Sequence, residues 1–143
     1  MPEPRLAGIR DRLRRTPLYG ELGLELVELG EGAATVALRV EGRHCNLDGA
    51  LHGGLYALAA DTAMGCAART LQAEHSANKT LEIAVSFYEG AVPGDRVVAR
   101  ARVTRRSGRL TWAEAAVVVE AGEGQRPIGS ARTLNYEVTP RAG

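Results

Sequence analysis

Cysteine, lysine and aromatic side chains are scarce in this chain of 143 residues, and each shortage removes a class of explanation. Two Cys cannot build a disulfide framework, which points to a reducing, cytoplasmic setting. Lysine occurs once, at Lys79, so the positive charge is carried almost wholly by arginine. With 18 basic against 17 acidic residues the formal net charge is +1, which supplies no basic field for nucleic acid. No run approaches the roughly 18 consecutive apolar residues of a membrane span. No charged N-terminal segment followed by an apolar stretch reads as a signal peptide. Aromatic residues make up 4% of the chain and give no sign of a stacked aromatic pocket. There is also no low-complexity tract, solenoid period or interior linker, so a single domain is expected.

What is present is a clear order of periodicities. Residues 1–19 carry Leu6, Ile9 and Leu13 at helical spacing among Arg10, Arg12, Arg14 and Arg15. That predicts a short helix packed on the domain edge with a solvated basic face. Residues 24–29 and 33–40, split by Gly30-Glu31-Gly32, read as a hairpin, with Val36, Leu38 and Val40 alternating against Thr35, Ala37 and Arg39. Residues 53–72 are rich in Ala, Leu and Met and read as one long helix, apolar nearly all round. From Thr80 the period is two again, with Leu81, Ile83, Val85 and Phe87 on one face. Further strands follow at 97–103, 110–120 and 128–138, each after a turn bearing Gly or Pro, and the four together read as an antiparallel meander. One long helix against one antiparallel sheet of five to six strands is an α+β layer domain.

One residue breaks the pattern. Between Asp48 and Arg69 the only formal charge is Asp61, inside the apolar helix. A carboxylate there must be paired, or its pKa must rise, because desolvating a lone charge costs several kcal/mol. The positions sharing its helical face, Gly54, Ala57, Gly65 and Ala68, are all small, so a ligand or another backbone can approach closely. At the helix start, Gly53 and Gly54 leave the first N–H groups uncovered, an oxyanion site in the making, with Asn46 and His52 beside it. Oxyanion donors and a carboxylate are the parts of an acyl-transfer site. Eight residues of helix span about 12 Å, however, so Gly53 and Asp61 of one chain cannot serve the same carbonyl. If both act, the site combines two subunits, and a dimer at least is expected.

The run Asn46-Leu47-Asp48-Gly49-Ala50-Leu51-His52-Gly53-Gly54, followed by Leu58-Ala59-Ala60-Asp61-Thr62-Ala63, resembles the signature of the hotdog-fold thioesterases, in the branch typified by the phenylacetic-acid-degradation thioesterase PaaI. The resemblance runs over about residues 17–138 and implies a hotdog domain over 1–143, with a long helix wrapped by an antiparallel sheet and dimers that commonly pair into homotetramers. It implies an acyl-CoA substrate, aryl or medium-chain, and neither metal nor cofactor. It implies Asp61 as catalytic carboxylate, either a base on water or a nucleophile through a mixed anhydride. Gly53 N–H would polarise the thioester carbonyl, and Asn46 and His52 would orient the thioester or water. Thr80 aligns with a Ser/Thr that assists the water, with Asn78 and Ser86 as neighbouring alternatives. Gly54 and Leu58 are expected at the substrate, and Arg105, Arg106 and Arg109 around the Gly108 turn are candidates for the CoA phosphates. Leu55, Tyr56, Met64 and Phe87 are candidate pocket residues, and Cys66 reads as a small core residue rather than a nucleophile. The competing readings are a hotdog hydratase or dehydratase, and a module that binds acyl-CoA without hydrolysing it.

Overall fold

The computed structural model describes residues 2–139. Its elements run α1 (Pro2–Arg15), α2 (Pro17–Leu22), β1 (Leu24–Gly30), β2 (Ala33–Arg39), a 3-10 turn (Gly42–His44), α3 (Gly53–Arg69), β3 (Ala77–Phe87), β4 (Arg96–Ser107), β5 (Leu110–Ala121) and β6 (Gly124–Val138). All six strands join one antiparallel sheet in the order β1-β2-β4-β5-β6-β3, and α3 packs on one face of it. This is the architecture of the hotdog fold.

The composition of α3 explains the close wrap. Ala59, Ala60, Ala63, Met64 and Ala67 are essentially solvent-free and meet Val36, Leu38, Val97, Ala99, Val117 and Ile128 from four strands. Alanine both favours the helix and lets a twisted sheet approach its axis. On the opposite sheet face Ala37, Val98 and Val118 form a second, small cluster, as the two-residue alternation requires.

Four features differ from the sequence expectation. The N-terminal helix is two helices, because Pro17 disfavours helical backbone at Thr16 and is itself well placed at the first position of α2. Helix α3 ends at Arg69, three residues early. There the Thr70 hydroxyl donates to Ala67 O (2.6 Å) and accepts Gly32 N–H (2.7 Å), tying the helix end to the β1–β2 turn. Strand β6 begins at Gly124, since a bulge at Ile128 between the Val117–Gly129 and Val118–Pro127 pairs absorbs the proline.

The fourth difference is topological. Only β4, β5 and β6 form a meander; β3 crosses to the far edge beside β6, while β4 docks against β2. The Val92–Asp95 turn makes this switch by bonding to the end of β2, with Val40 N–H donating to Asp95 O (2.8 Å) and Gly94 N–H to Val40 O (2.9 Å). Strand β3 therefore has one unpaired edge, and Leu81, Ile83 and Phe87 on it are 53%, 41% and 56% exposed.

Candidate active site

The segment entering α3 is built from its own side chains. Asn46 Oδ1 accepts the N–H groups of Asp48 (2.9 Å) and Ala50 (3.2 Å), and Gly49 sits at φ 77° to close the turn. Behind it His44 is buried; its Nδ1 accepts Glu41 N–H (2.9 Å) and its Nε2 lies 2.9 Å from Leu22 O, which places the proton on Nε2. His44 O in turn accepts His52 N–H (2.9 Å) and fixes where the helix begins.

His52 is the N-cap of α3. Its Nδ1 accepts Gly54 N–H (2.8 Å), its carbonyl accepts Leu55 N–H (2.9 Å), and the remaining ring N–H, at Nε2, points a donor outward. Gly54 N–H, expected to be bare, is thus committed to the cap. Gly53 N–H is the helix-start donor without a partner among the described residues. Space there is tight: a Cβ on Gly53 would sit 3.2 Å from the Phe87 ring, and one on Gly54 3.0 Å from His52 Nδ1. Phe87 also meets Tyr56 edge-on at 5.3 Å, and Tyr56 donates its hydroxyl to Glu89 O (2.6 Å). Tyr56 and Met64 are buried in the core rather than lining open space.

Two turns into α3 the sheet leaves the helix partly uncovered. Leu58, Asp61, Gly65 and Arg69 are spaced by three or four residues and form a half-buried stripe, whereas Ala68 is fully buried. Asp61 is half-exposed rather than desolvated, and the Thr80 hydroxyl donates to its Oδ1 (2.8 Å). Strict alternation would put Thr80 on the outer face with Glu82 and Ala84. A bulge at Leu81, between the Thr80–Asn135 and Glu82–Leu134 pairs, turns it inward to Asp61. Ser86 lies on the outer side of the strand opposite Ser130, whose Oγ accepts the Tyr88 hydroxyl (2.6 Å), and it does not meet Asp61.

Behind Thr80 runs a chain of amides, of which the sequence singles out only Asn78, as an alternative to Thr80. Gln72 Nε2 donates to Asn78 Oδ1 (2.8 Å), Asn78 Nδ2 to Asn135 Oδ1 (3.1 Å), and Asn135 Nδ2 to Thr133 Oγ1 (2.9 Å). Gln72 and Asn135 are buried, so these bonds hold the inner end of β3 against α3. Their immediate chain neighbours are exposed or half-buried, so local pattern carries no signal for Gln72 or Asn135.

The hairpin arginines are placed elsewhere. The β4–β5 tip lies near Leu71, beyond the far end of α3 from Gly53: Arg106 donates to Leu71 O and to Glu137 Oε1 (3.0 Å). Arg105 stacks over Trp112 at 5.4 Å, and Arg109 O accepts Glu137 N–H (2.9 Å). Arg106 is therefore committed to a structural carboxylate. Burial alone would raise the pKa of Glu137, but Ala73 N–H, the Ser76 hydroxyl and Arg106 outweigh it and hold the carboxyl below its usual range. A carboxyl so held stabilises the fold above its unfolded pKa and loses that contribution as pH falls through the folded one. Glu137→Gln is expected to cost about 1.5–3 kcal/mol at neutral pH. Thermal melts should also show a shallower loss of stability than wild type below about pH 4.5. Equal acid limbs in the two proteins would refute this role.

Cys66 lines the same stripe from its buried side. Burial, opposed by Arg69 and reinforced by Asp61, pushes its thiol up to about 11, so it is not a thiolate at neutral pH. Among the described residues no three His, Cys, Asp or Glu side chains gather as metal ligands, and no helix is long and apolar enough to cross a membrane.

The chain is similar in sequence and fold to known proteins. A family model described as the thioesterase superfamily matches residues 48–125, which include Gly53, Asp61 and Thr80. A thioesterase family protein from Silicibacter pomeroyi superposes with a TM-score of 0.86 at 26% identity, over 92% of this chain and 96% of that one. A single-substitution variant of the phenylacetic acid degradation protein PaaI from Thermus thermophilus gives 0.73 at 30% identity, over 84% and 97% of the two chains. A Pseudomonas aeruginosa protein whose name describes it as an esterase by inference is 29% identical over 125 residues, 87% of this chain and 90% of that one.

Proposed function

Because the chain belongs to the thioesterase superfamily, in its hotdog-fold, PaaI-like branch, we propose that it hydrolyses acyl-CoA thioesters to the free acid and coenzyme A. The observation that carries this reading is the pairing of Asp61 with Thr80 on the open stripe of α3, together with the unspent N–H of Gly53 at the start of that helix. The Thr80 hydroxyl occupies one oxygen of Asp61 and leaves the other for water or for the thioester itself.

The steps follow from those groups. As a base, Asp61 takes a proton from water while the water oxygen bonds to the thioester carbon. As a nucleophile, it bonds to that carbon itself, and water then cleaves the mixed anhydride. Either way negative charge develops on the carbonyl oxygen, where Gly53 N–H and the helix dipole stabilise it. The C–S bond then breaks, which in the nucleophile route is the step that forms the mixed anhydride. The leaving thiolate takes the proton held by Asp61 in the base route, or one from solvent in the nucleophile route. His52 Nε2–H and the Asn46 amide are the donors beside Gly53 that would orient the thioester or water. Leu58 would contact the acyl chain from the stripe, and Gly54, with its N–H held by His52, shapes the approach. With Arg106 tied to Glu137, Arg105 and Arg109 are the hairpin cations left for the CoA phosphates.

The reading also requires a second copy. Helix α3 is unbroken from Gly53 to Arg69, so Gly53 and Asp61 stay about 12 Å apart along its axis. The unpaired edge of β3, with its exposed Leu81, Ile83 and Phe87, is the surface on which a partner would bring its own Gly53 to Asp61. A homodimer, with pairing into a tetramer, is the expected assembly, and the free thiols Cys45 and Cys66 suit a cytoplasmic setting. The test is a panel of acetyl-, medium-chain, phenylacetyl- and hydroxybenzoyl-CoA, with thiol release followed by a chromogenic reagent. Release from at least one is expected, from a dimer or larger species in light scattering. No release from any of them would overturn the activity, and a catalytically competent monomer would overturn the shared site.

A further inference from the structure

Beside Asp61 the stripe opens into a groove of about 210 Å³ between α3 and the N-terminal helices. Asp61 and Thr80 stand at one part of it, Leu13 and Leu58 line it, and Arg12 and Arg69 reach into it from α1 and α3. We propose that this groove receives an acyl chain ending in a carboxylate, which Arg69 and Arg12 bind while Asp61 acts on the thioester at the chain's other end. This rests on the thioesterase reading above and narrows its substrate class to short dicarboxylic acyl thioesters.

The state of Arg69 motivates the proposal. It is half-buried, yet no carboxylate of the described residues lies within 4.0 Å of it, nor of Arg12. An arginine in the last turn of a helix commonly bonds the terminal carbonyls. Here those are already taken: Cys66 O accepts Thr70 N–H (3.3 Å), Ala68 O accepts Leu71 N–H (3.0 Å), and Arg5 donates to Thr70 O (2.9 Å). Arg5, Arg96 and Arg126, of similar burial, find acceptors in Thr70 O, Glu120 and Glu89, whereas Arg69 and Arg10 have none among the described residues. Burial first, and then the facing charge of Arg12, both act against the charged form of Arg69. Half-buried Arg69 and the more exposed Arg12 line one groove without a carboxylate partner, an arrangement that an anion bound between them would stabilise, and a carboxylate matches their forked donors.

Size and position favour an acyl carboxylate over a CoA phosphate. At one water-sized site per roughly 15–30 Å³ the groove holds on the order of seven to fifteen non-hydrogen atoms, far fewer than the nucleotide of coenzyme A. Asp61 and Arg69 are eight residues apart on α3, a rise of about 12 Å, and an arginine side chain leans back toward the helix start by about a turn. The remaining gap of roughly 7 Å is spanned by five or six bonds of extended chain at about 1.2 Å per bond. Glutaryl and adipyl groups have that reach.

The experiment compares kcat/KM for glutaryl-CoA and adipyl-CoA with that for hexanoyl-CoA, in wild type and in Arg69→Leu, Arg69→Lys and Arg12→Leu. Wild type is expected to favour the diacid esters. Arg69→Leu should lower the adipyl-to-hexanoyl ratio between tenfold and a hundredfold, Arg12→Leu less, and Arg69→Lys should recover part of it. Wild-type preference for hexanoyl-CoA, or an unchanged ratio in both leucine variants, would overturn the proposal. S-adipyl N-acetylcysteamine, which lacks the nucleotide, separates the sources. If Arg69→Leu slows all CoA esters alike but not this thioester, the arginines read CoA phosphate. If it dissociates the oligomer at an unchanged ratio, they pair with a second copy. Either result overturns the proposal. Millimolar adipate should raise the melting temperature of wild type but not of Arg69→Leu, while hexanoate raises neither by a comparable amount. That arm decides the anion site even if no thioester is hydrolysed, so the two readings fail separately.

Discussion

Asp61→Asn is expected to slow thioester hydrolysis by at least ~10²-fold, the lower range for removing a positioned acid or base. The substitution is chosen because it removes so little else. An asparagine carbonyl oxygen still accepts the Thr80 hydroxyl bond now made at 2.8 Å, and the site is half-exposed, so no buried group is stranded. What disappears is the ability to take a proton or to donate an electron pair to the thioester carbon. Circular dichroism and melting temperature should match wild type while kcat falls. Undiminished thiol release would remove Asp61 from the chemistry. Oxygen labelling of the wild type decides between base and nucleophile. In a single wild-type turnover in ¹⁸O-water, a base places the label in the released acid. A nucleophile whose anhydride is cleaved by water at the Asp61 carbonyl instead releases an acid whose new oxygen comes from Asp61, and leaves the label on Asp61.

Asp61 is legible from its own neighbourhood, Thr80 and Asn78 only through the family resemblance, and Gln72 and Asn135 not at all, and the difference has a physical basis. A charge inside an apolar helix and a Gly-Gly at the entry to that helix are local facts. Periodicity located α3 and all six strands because burial on one face dictates it. The partners of Asp61 depend on non-local choices. Thr80 faces it only because β3 is bulged at Leu81, and a bulge leaves no reliable trace in hydrophobic alternation. Asn135 sits behind Thr80 only because β3 pairs with β6 instead of with β4, a crossover set by how the Val92–Asp95 turn bonds to Val40. The same applies to the charges. Arg106 reads as a surface cation at a hairpin tip until Glu137, 31 residues away, is folded against it. Arg12 is exposed, as a solvated basic face predicts, but α1 also places it on the groove that Arg69 lines, which the sequence alone did not show. Element type is set within a turn or two of chain, whereas the pairing of polar side chains is set by topology.

Gly53→Pro carries the second large effect, an expected loss of 10²–10³-fold in kcat, the range for deleting one oxyanion donor. Proline removes the N–H of Gly53 and little more. Position 53 is the first residue of α3, where proline suits the helix, and His52 already has the extended backbone (φ −60°, ψ 133°) that a residue before proline requires. The ring must displace Phe87, which would lie 3.2 Å from a Cβ here but is 56% exposed and able to move. The His52 cap on Gly54 is left in place. Mixing this variant with Asp61→Ala then tests where the site lies. If each site takes Gly53 from one subunit and Asp61 from the other, a mixed dimer has one intact site and one doubly broken site. With random exchange half the dimers are mixed, so about a quarter of wild-type activity should return from two nearly inactive proteins. A site contained in one chain would recover nothing, because every chain in the mixture lacks either its donor or its carboxylate. The unbroken rise of α3 between the two residues allows only the first outcome if both groups act on one carbonyl.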